Sequence, residues 1–128
     1  MITEDFCSYE VAKLLKKKGF NESVHYEYHY TISIPQFHKK SHNFNGSEYA
    51  NCQSEWYSAP THQMAKKWLR EVHNLFIDAY YDCDFHEGYM FSVHKLPKGT
   101  TLEVHNKNYS TYEEACEAAI KYCLEKLI

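Results

Sequence analysis

The longest alternation of apolar and polar positions lies at 24–34. Tyr26, Tyr28, Tyr30, Ile32 and Ile34 fall on one side, and His25, Glu27, His29, Thr31 and Ser33 on the other. A period of two over that length predicts a strand with one packed and one wet face. Residues 35–48 are polar, open with Pro35 and contain the turn dipeptide Asn45-Gly46. They predict the outer part of a long hairpin, with a return strand at about 49–57. Two further strands are predicted at 75–81 and 89–96, joined by the turn 82–88. In the second, Tyr89, Phe91 and Val93 oppose Met90, Ser92 and His94. Pro97-Lys98-Gly99 predicts a turn, and 101–105 a short fifth strand.

Helical periodicity appears three times. A first helix is predicted from Ser8 or Tyr9 to Lys18. Ser8 is its N-cap, Glu10 lies in the first turn, Lys16, Lys17 and Lys18 lie in the last, and Gly19 is the stop. Val11, Leu14 and Leu15 form its apolar stripe, onto which Phe20 can fold back. A second helix follows Ala59-Pro60-Thr61, with Thr61 as N-cap, and runs to about His73. Met64, Ala65, Trp68, Leu69 and Val72 form its buried face, with His62, Lys66, Lys67 and Arg70 away from it. The third starts at Ser110-Thr111, where Thr111 and Glu114 have capping-box spacing. Its core face is Tyr112, Ala115, Cys116, Ala119, Ile120, Cys123, Leu124 and Leu127.

The order is α-ββ-α-ββ(β)-α. It predicts an α+β fold: an antiparallel sheet of four to five strands with three helices mainly on one face. The whole chain, 1–128, reads as a single domain, since no linker or low-complexity tract interrupts it. A loose repeat of hairpin and Thr-capped helix runs through it, with Ala65 and Ala115 at the same offset from their caps.

Composition adds a few constraints. Tyrosine supplies 12 residues, which suits half-buried sheet surfaces where the ring packs and the hydroxyl reaches water. The net charge of −3 gives no general attraction to nucleic acid or anionic lipid. No stretch approaches the ~20 apolar residues of a membrane-spanning helix. The acidic start Met1-Ile2-Thr3-Glu4-Asp5 has no apolar signal region. Five cysteines, Cys7, Cys52, Cys83, Cys116 and Cys123, contain no close C-x-x-C pair. An odd number predicts free thiols and a cytoplasmic location.

Candidate chemistry is sparse. His25 and His29 share a strand face, yet their Cβ atoms stand roughly 13 Å apart, too far for one ion. No H-E-x-x-H or C-x-x-C anchor is present, so neither a metal site nor a cofactor is expected. The four glycines are isolated, which excludes a Gly-rich phosphate loop. Cys7 lies near the start of the first helix, where the dipole can lower a thiol pKa, but no base is identifiable in sequence. Lys16-Lys17-Lys18, Lys39-Lys40 and Lys66-Lys67 with Arg70 are basic clusters. The stripe Tyr26, Tyr28, Tyr30 has the look of a single-strand stacking platform, although its continuation into Ile32 and Ile34 suits a core face.

Three segments carry a resemblance. They are 58–73 (Ser-Ala-Pro-Thr-His-Gln-Met-Ala-Lys-Lys-Trp-Leu-Arg-Glu-Val-His), 109–125 (with Thr-Tyr-Glu-Glu-Ala at 111–115), and the opening Glu4-Asp5-Phe6 with 9–15 and Lys18-Gly19-Phe20. They resemble a family of small uncharacterised proteins of gut bacteria and their phages or mobile elements. That family has no established activity, so the resemblance implies context alone: a cytoplasmic accessory protein, often from mobile DNA.

The resulting expectation is a non-enzymatic interaction module that binds another protein. Its candidate surface is the hairpin tip at about 36–47, with Phe37, His38, Lys39, Lys40, His42 and Phe44 exposed on a mobile segment. A nucleic-acid-binding accessory protein is the alternative reading, and a cysteine-dependent enzyme centred on Cys7 a second.

Overall fold

Ser8 caps the first helix as its sequence requires: its Oγ accepts the Val11 N–H at 3.2 Å, and α1 spans Tyr9–Lys17. Gly19 follows the C-cap at φ 92°, the left-handed conformation that glycine adopts without strain. These features come from a computed structural model that describes residues 1–29, 34–49, 55–83 and 87–128; the side chains of 105–107 are also left aside. The chain divides into two compact units, 1–61 and 62–128.

In the first unit, β1 (Val24–Tyr28) lies between β2 (Gln36–His42) and β3 (Tyr57–Ser58), both antiparallel to it. One face of this sheet packs on α1. Tyr28, Tyr57 and Ala59 bury against Ala12, with Tyr9 and Tyr26 alongside. The Tyr9 ring meets Tyr28 and Tyr57 edge-on, at 5.6 and 5.5 Å between centroids. Each such pair contributes roughly 0.5–1.5 kcal/mol beyond area burial. The Tyr28 hydroxyl donates to the Cys7 carbonyl at 2.7 Å, so the buried ring leaves no polar end unmatched.

The second face of this sheet is not wet. Glu27 is fully buried, and so is Phe44, whose N–H donates to the Ser58 hydroxyl at 3.1 Å. Asn45 ties the same corner, accepting from Ser58 N–H at 3.0 Å and donating to the Phe20 carbonyl at 2.8 Å. The hairpin therefore differs from the expected one. Its return strand is β2, not 49–57; a 3₁₀ turn occupies Ser47–Tyr49, and β3 begins at Tyr57 on the opposite edge of β1. Position explains why β2 gave no alternation. Among the described strands it lies at the edge of its sheet, with most side chains in water, and it pairs with β1 through an irregular register between Val24 and Tyr26. Tyr30, Thr31, Ile32 and Ser33 of the predicted strand, and 50–54 of the predicted return strand, lie outside the described residues.

In the second unit, β4 (Leu75–Asp82), β5 (Gly88–Lys95) and β6 (Thr100–Tyr109) form an antiparallel sheet in that order. α2 (His62–His73) packs on β4, and α3 (Tyr112–Tyr122) packs on β4 and β5. Asn74 turns α2 into β4 at φ 57°, a conformation asparagine tolerates better than most residues. Thr111 Oγ1 accepts the Glu114 N–H at 3.1 Å, and the Glu114 carboxylate reaches back to the Ser110 N–H at 3.1 Å, one residue before the expected partner. After Tyr122 the helix widens into a π-helical turn, Cys123–Leu127.

Ala65, Trp68 and Leu69 are buried on α2 as the periodicity predicts, but Met64 and Val72 flank that stripe and are 39% and 55% exposed. His62, expected to point away, is buried, with Nε2 2.9 Å from Glu117. The fold is α+β with antiparallel pairing throughout the named strands, which among the described residues form two sheets of three. β6 outruns its predicted span because the polar run Asn106-Lys107-Asn108 carries no alternation. Asp84, Phe85 and His86 of the predicted turn lie outside the described residues. Among the described residues no helix is long and apolar enough to cross a membrane.

Candidate functional site

The predicted surface residues separate by strand geometry. Successive side chains on β2 point to opposite faces. Phe37 lies beside Tyr26 at 5.3 Å between ring centroids and is 63% exposed; Lys39 and Lys40 are exposed as well. His38 turns to the other face, and His42 is half-buried beside Phe44, 5.6 Å between centroids. Phe44 itself is not available at the surface. It lies beyond the strand and fills the unit's interior, because a large ring at that corner finds His38, Trp56 and Tyr49 around it. Of the segment 36–47, residues Gln36–His42 form a strand paired with β1.

Behind β2 lies a group that sequence reading assigned to the wet face. Glu27 accepts hydrogen bonds from His29 Nδ1 at 2.7 Å and His38 Nε2 at 3.2 Å. An ionised carboxylate only accepts, so the two facing ring nitrogens are its donors. Removal of a carboxylate from water costs several kcal/mol, and charge-assisted hydrogen bonds from both sides offset that cost. The His38 bond thus ties β2 to β1, while His29, two residues along the chain from Glu27, occupies the second carboxylate oxygen. The Trp56 ring stacks on His29 at 4.4 Å and 18°, covering the cluster. Its buried Nε1 has no hydrogen-bond partner among the described residues. Glu27, His29 and Trp56 were absent from the predicted site. The available signal was a carboxylate in mid-strand with histidines two positions away on either side.

On the other side of β3, Lys16 bridges α1 to the chain entering that strand. Its ammonium donates to the Trp56 carbonyl at 3.0 Å, approaches Glu55 at 3.2 Å and sits over the Tyr57 ring. The Tyr57 hydroxyl, and then Lys16, hold the exposed Glu55 carboxyl below its usual range. Burial, followed by Glu55, pushes the Tyr57 phenol well above its own.

Two other chemistries are placed by the structure. Tyr28 is buried and Tyr26 is packed between Phe6 and Phe37, so these two positions offer no open faces for base stacking; Tyr30 lies outside the described residues. Cys7 is fully buried, with its N–H bound to the Pro60 carbonyl at 2.9 Å. Cys116 and Cys123 are buried too; desolvation raises both thiols, Cys123 to about 12, away from the reactive thiolate. In the second unit Ser92 Oγ lies 2.9 Å from His94 Nε2, and His94 Nδ1 lies 3.1 Å from Thr101 Oγ1. Ser92 is in mid-ladder, paired with Asp78 and Val104, so its backbone is committed to the sheet and forms no oxyanion pocket.

Comparison with known protein families, with curated proteins and with solved structures finds no match for this chain.

Proposed function

We propose that the chain is a non-enzymatic interaction module that receives an extended segment of a partner protein along the edge of β2. The observation that carries this reading is the two-sided build of that strand: exposed Phe37, Lys39 and Lys40, with His38 anchored to buried Glu27. An edge strand presents unpaired backbone N–H and C=O groups, and an added strand completes them. Main-chain pairing supplies affinity, while Phe37 and the nearby Ile34, 67% exposed, select an apolar side chain. Lys39 and Lys40 select acidic neighbours and steer their approach. The partner is therefore an extended segment that alternates acidic and apolar residues. The resemblance of the helices to proteins of phages and mobile elements supports a cytoplasmic accessory role.

The test is affinity capture from the native host, with mass spectrometry of the captured proteins, using the wild-type chain and a Phe37→Asp/Lys39→Glu/Lys40→Glu variant. All three positions are exposed, so the fold is expected to survive, as a melting curve would check. Partners that bind the wild type and are lost from the variant support the reading. An identical captured set from both removes β2 as the binding surface.

A further inference from the structure

The second unit holds an open cavity of about 230 Å³ whose lining is mostly apolar. Phe91 and Tyr109 come from β5 and β6; Ala118, Lys121 and Tyr122 come from α3; Glu125 and Lys126 come from the π-helical turn. Phe91 lies 6.2 Å from Tyr109 and 6.3 Å from Tyr122, centroid to centroid, with planes at 31° and 51°. Those separations are ordinary ring contacts, so Phe91, 1% exposed, is the floor of the cavity, and the half-exposed Tyr109 and Tyr122 stand at its sides. The Tyr122 hydroxyl is already engaged by Glu103 at 2.8 Å, which leaves its ring as the surface offered.

The π-helical turn decides what stands at the rim. At 100° per residue, Lys126 would point about 140° away from Lys121. The wider i→i+5 winding turns each residue through less than 100°, which narrows that angle, and Lys126 lines the cavity together with Lys121. Such turns are rare and often occur at functional sites. Lys121 is engaged by Glu125 at 3.7 Å, whereas Lys126 is exposed and has no ion-pair partner among the described residues.

We infer that this cavity binds a small aromatic carboxylate, its ring among Phe91, Tyr109 and Tyr122 and its carboxylate facing Lys126. The space is smaller than the roughly 300 Å³ at which drug-sized pockets begin, which suits a single-ring ligand. With Lys121 matched by Glu125, the Lys126 ammonium above an aromatic floor complements one anionic group attached to one ring.

Titration of the ¹⁵N-labelled full chain with phenylacetate, and in parallel with neutral 2-phenylethanol, tests this. Saturable amide shifts are expected at Phe91, Tyr109, Ala118, Tyr122 and Lys126, with phenylacetate the tighter of the two. Lys126→Gln should weaken phenylacetate about three- to five-fold, the size of a solvent-rimmed ion pair, and leave 2-phenylethanol unchanged. Lys98→Gln, on an exposed turn, should alter neither. Shifts that do not saturate, or that fall elsewhere, overturn the site. Equal affinity of wild type and Lys126→Gln for phenylacetate overturns the carboxylate assignment. Lys126 is exposed, so folding of the variant is not at issue, and its unperturbed amide spectrum would verify this.

Discussion

Glu27 Oε1 lies 3.2 Å from His38 Nε2 across the β1–β2 pair, and the carboxylate is fully buried. With His29 on its second oxygen, Glu27 holds an edge strand that has few apolar side chains of its own. Glu27→Ala should therefore cost about 1–3 kcal/mol, the usual effect of stripping hydrogen-bond partners from a buried site. His38→Ala should cost less, since His29 still occupies the carboxylate. Urea melts of both variants would measure this, and a loss below about 1 kcal/mol for Glu27→Ala would show that the clamp contributes little.

Trp68 is 6% exposed on the packed face of α2, while Val72 on the same helix is 55% exposed. Trp68→Ala should destabilise by roughly 3–5 kcal/mol. Val72→Ala should fall within about 0.5 kcal/mol of wild type, because the removed methyl groups are largely in water already. Denaturant melts of the two variants give the contrast directly, and similar losses would mean that the stripe is oriented differently.

Burial first, and then Lys95, lowers the pKa of His73, whose ring stands edge-on to Trp68 at 4.7 Å. The folded ring thus favours the neutral form, while the unfolded ring takes up its proton near pH ~6.5. Below that value the unfolded state binds the extra proton, so stability declines until the depressed folded pKa is reached. The wild type should lose more stability than His73→Gln between about pH 7.5 and about pH 5.5. Chemical melts at both pH values check the difference; a steeper loss in the variant would reverse the sign.

Cys7, Cys116 and Cys123 are buried thiols and Cys83 is an exposed one. A thiol reagent should label Cys83 rapidly in the native chain and the three buried residues only on unfolding. Cys52 lies outside the described residues. Denaturation without reductant should release five thiols, and three or fewer would demonstrate a disulfide.

The helices were legible because their signals are local. Ser8 and Thr111 cap N–H groups three residues on, and Ala115 to Leu124 repeat at the period that buries them. Tyr26 and Tyr28 were legible as a packed face for the same reason. Glu27 was not, since an alternation rule reads a carboxylate opposite a tyrosine stripe as solvated. Its partner His38, which packs with Phe44 and Trp56, is brought there by a strand with no hydrophobic period. Met64 failed in the opposite sense: helical spacing marks a face, but how far that face is covered depends on what packs there.

The segment 38–46 gives the most direct test of that lesson. Read as a solvated hairpin tip, it could be cut to a two-residue Asn-Gly turn at little cost, since loop closure depends only weakly on length. The structure places His38 on Glu27, Phe44 in the interior and Asn45 between Ser58 and Phe20. The replacement therefore removes one of two partners of a buried carboxylate, opens a cavity the size of a phenylalanine ring and frees the Ser58 N–H. Phe44→Ala alone should cost about 3–5 kcal/mol, and the shortened chain should melt well over ~8 °C lower, the shift that roughly 1 kcal/mol produces in a domain of ordinary size. Phe37→Ala, by contrast, should leave the melting temperature within about 2 °C, because its ring is mostly in water. Thermal melts of the three variants decide the matter. A shortened chain that melts with the wild type would mean that 38–46 is a solvated tip and that Phe44 contributes nothing to the core.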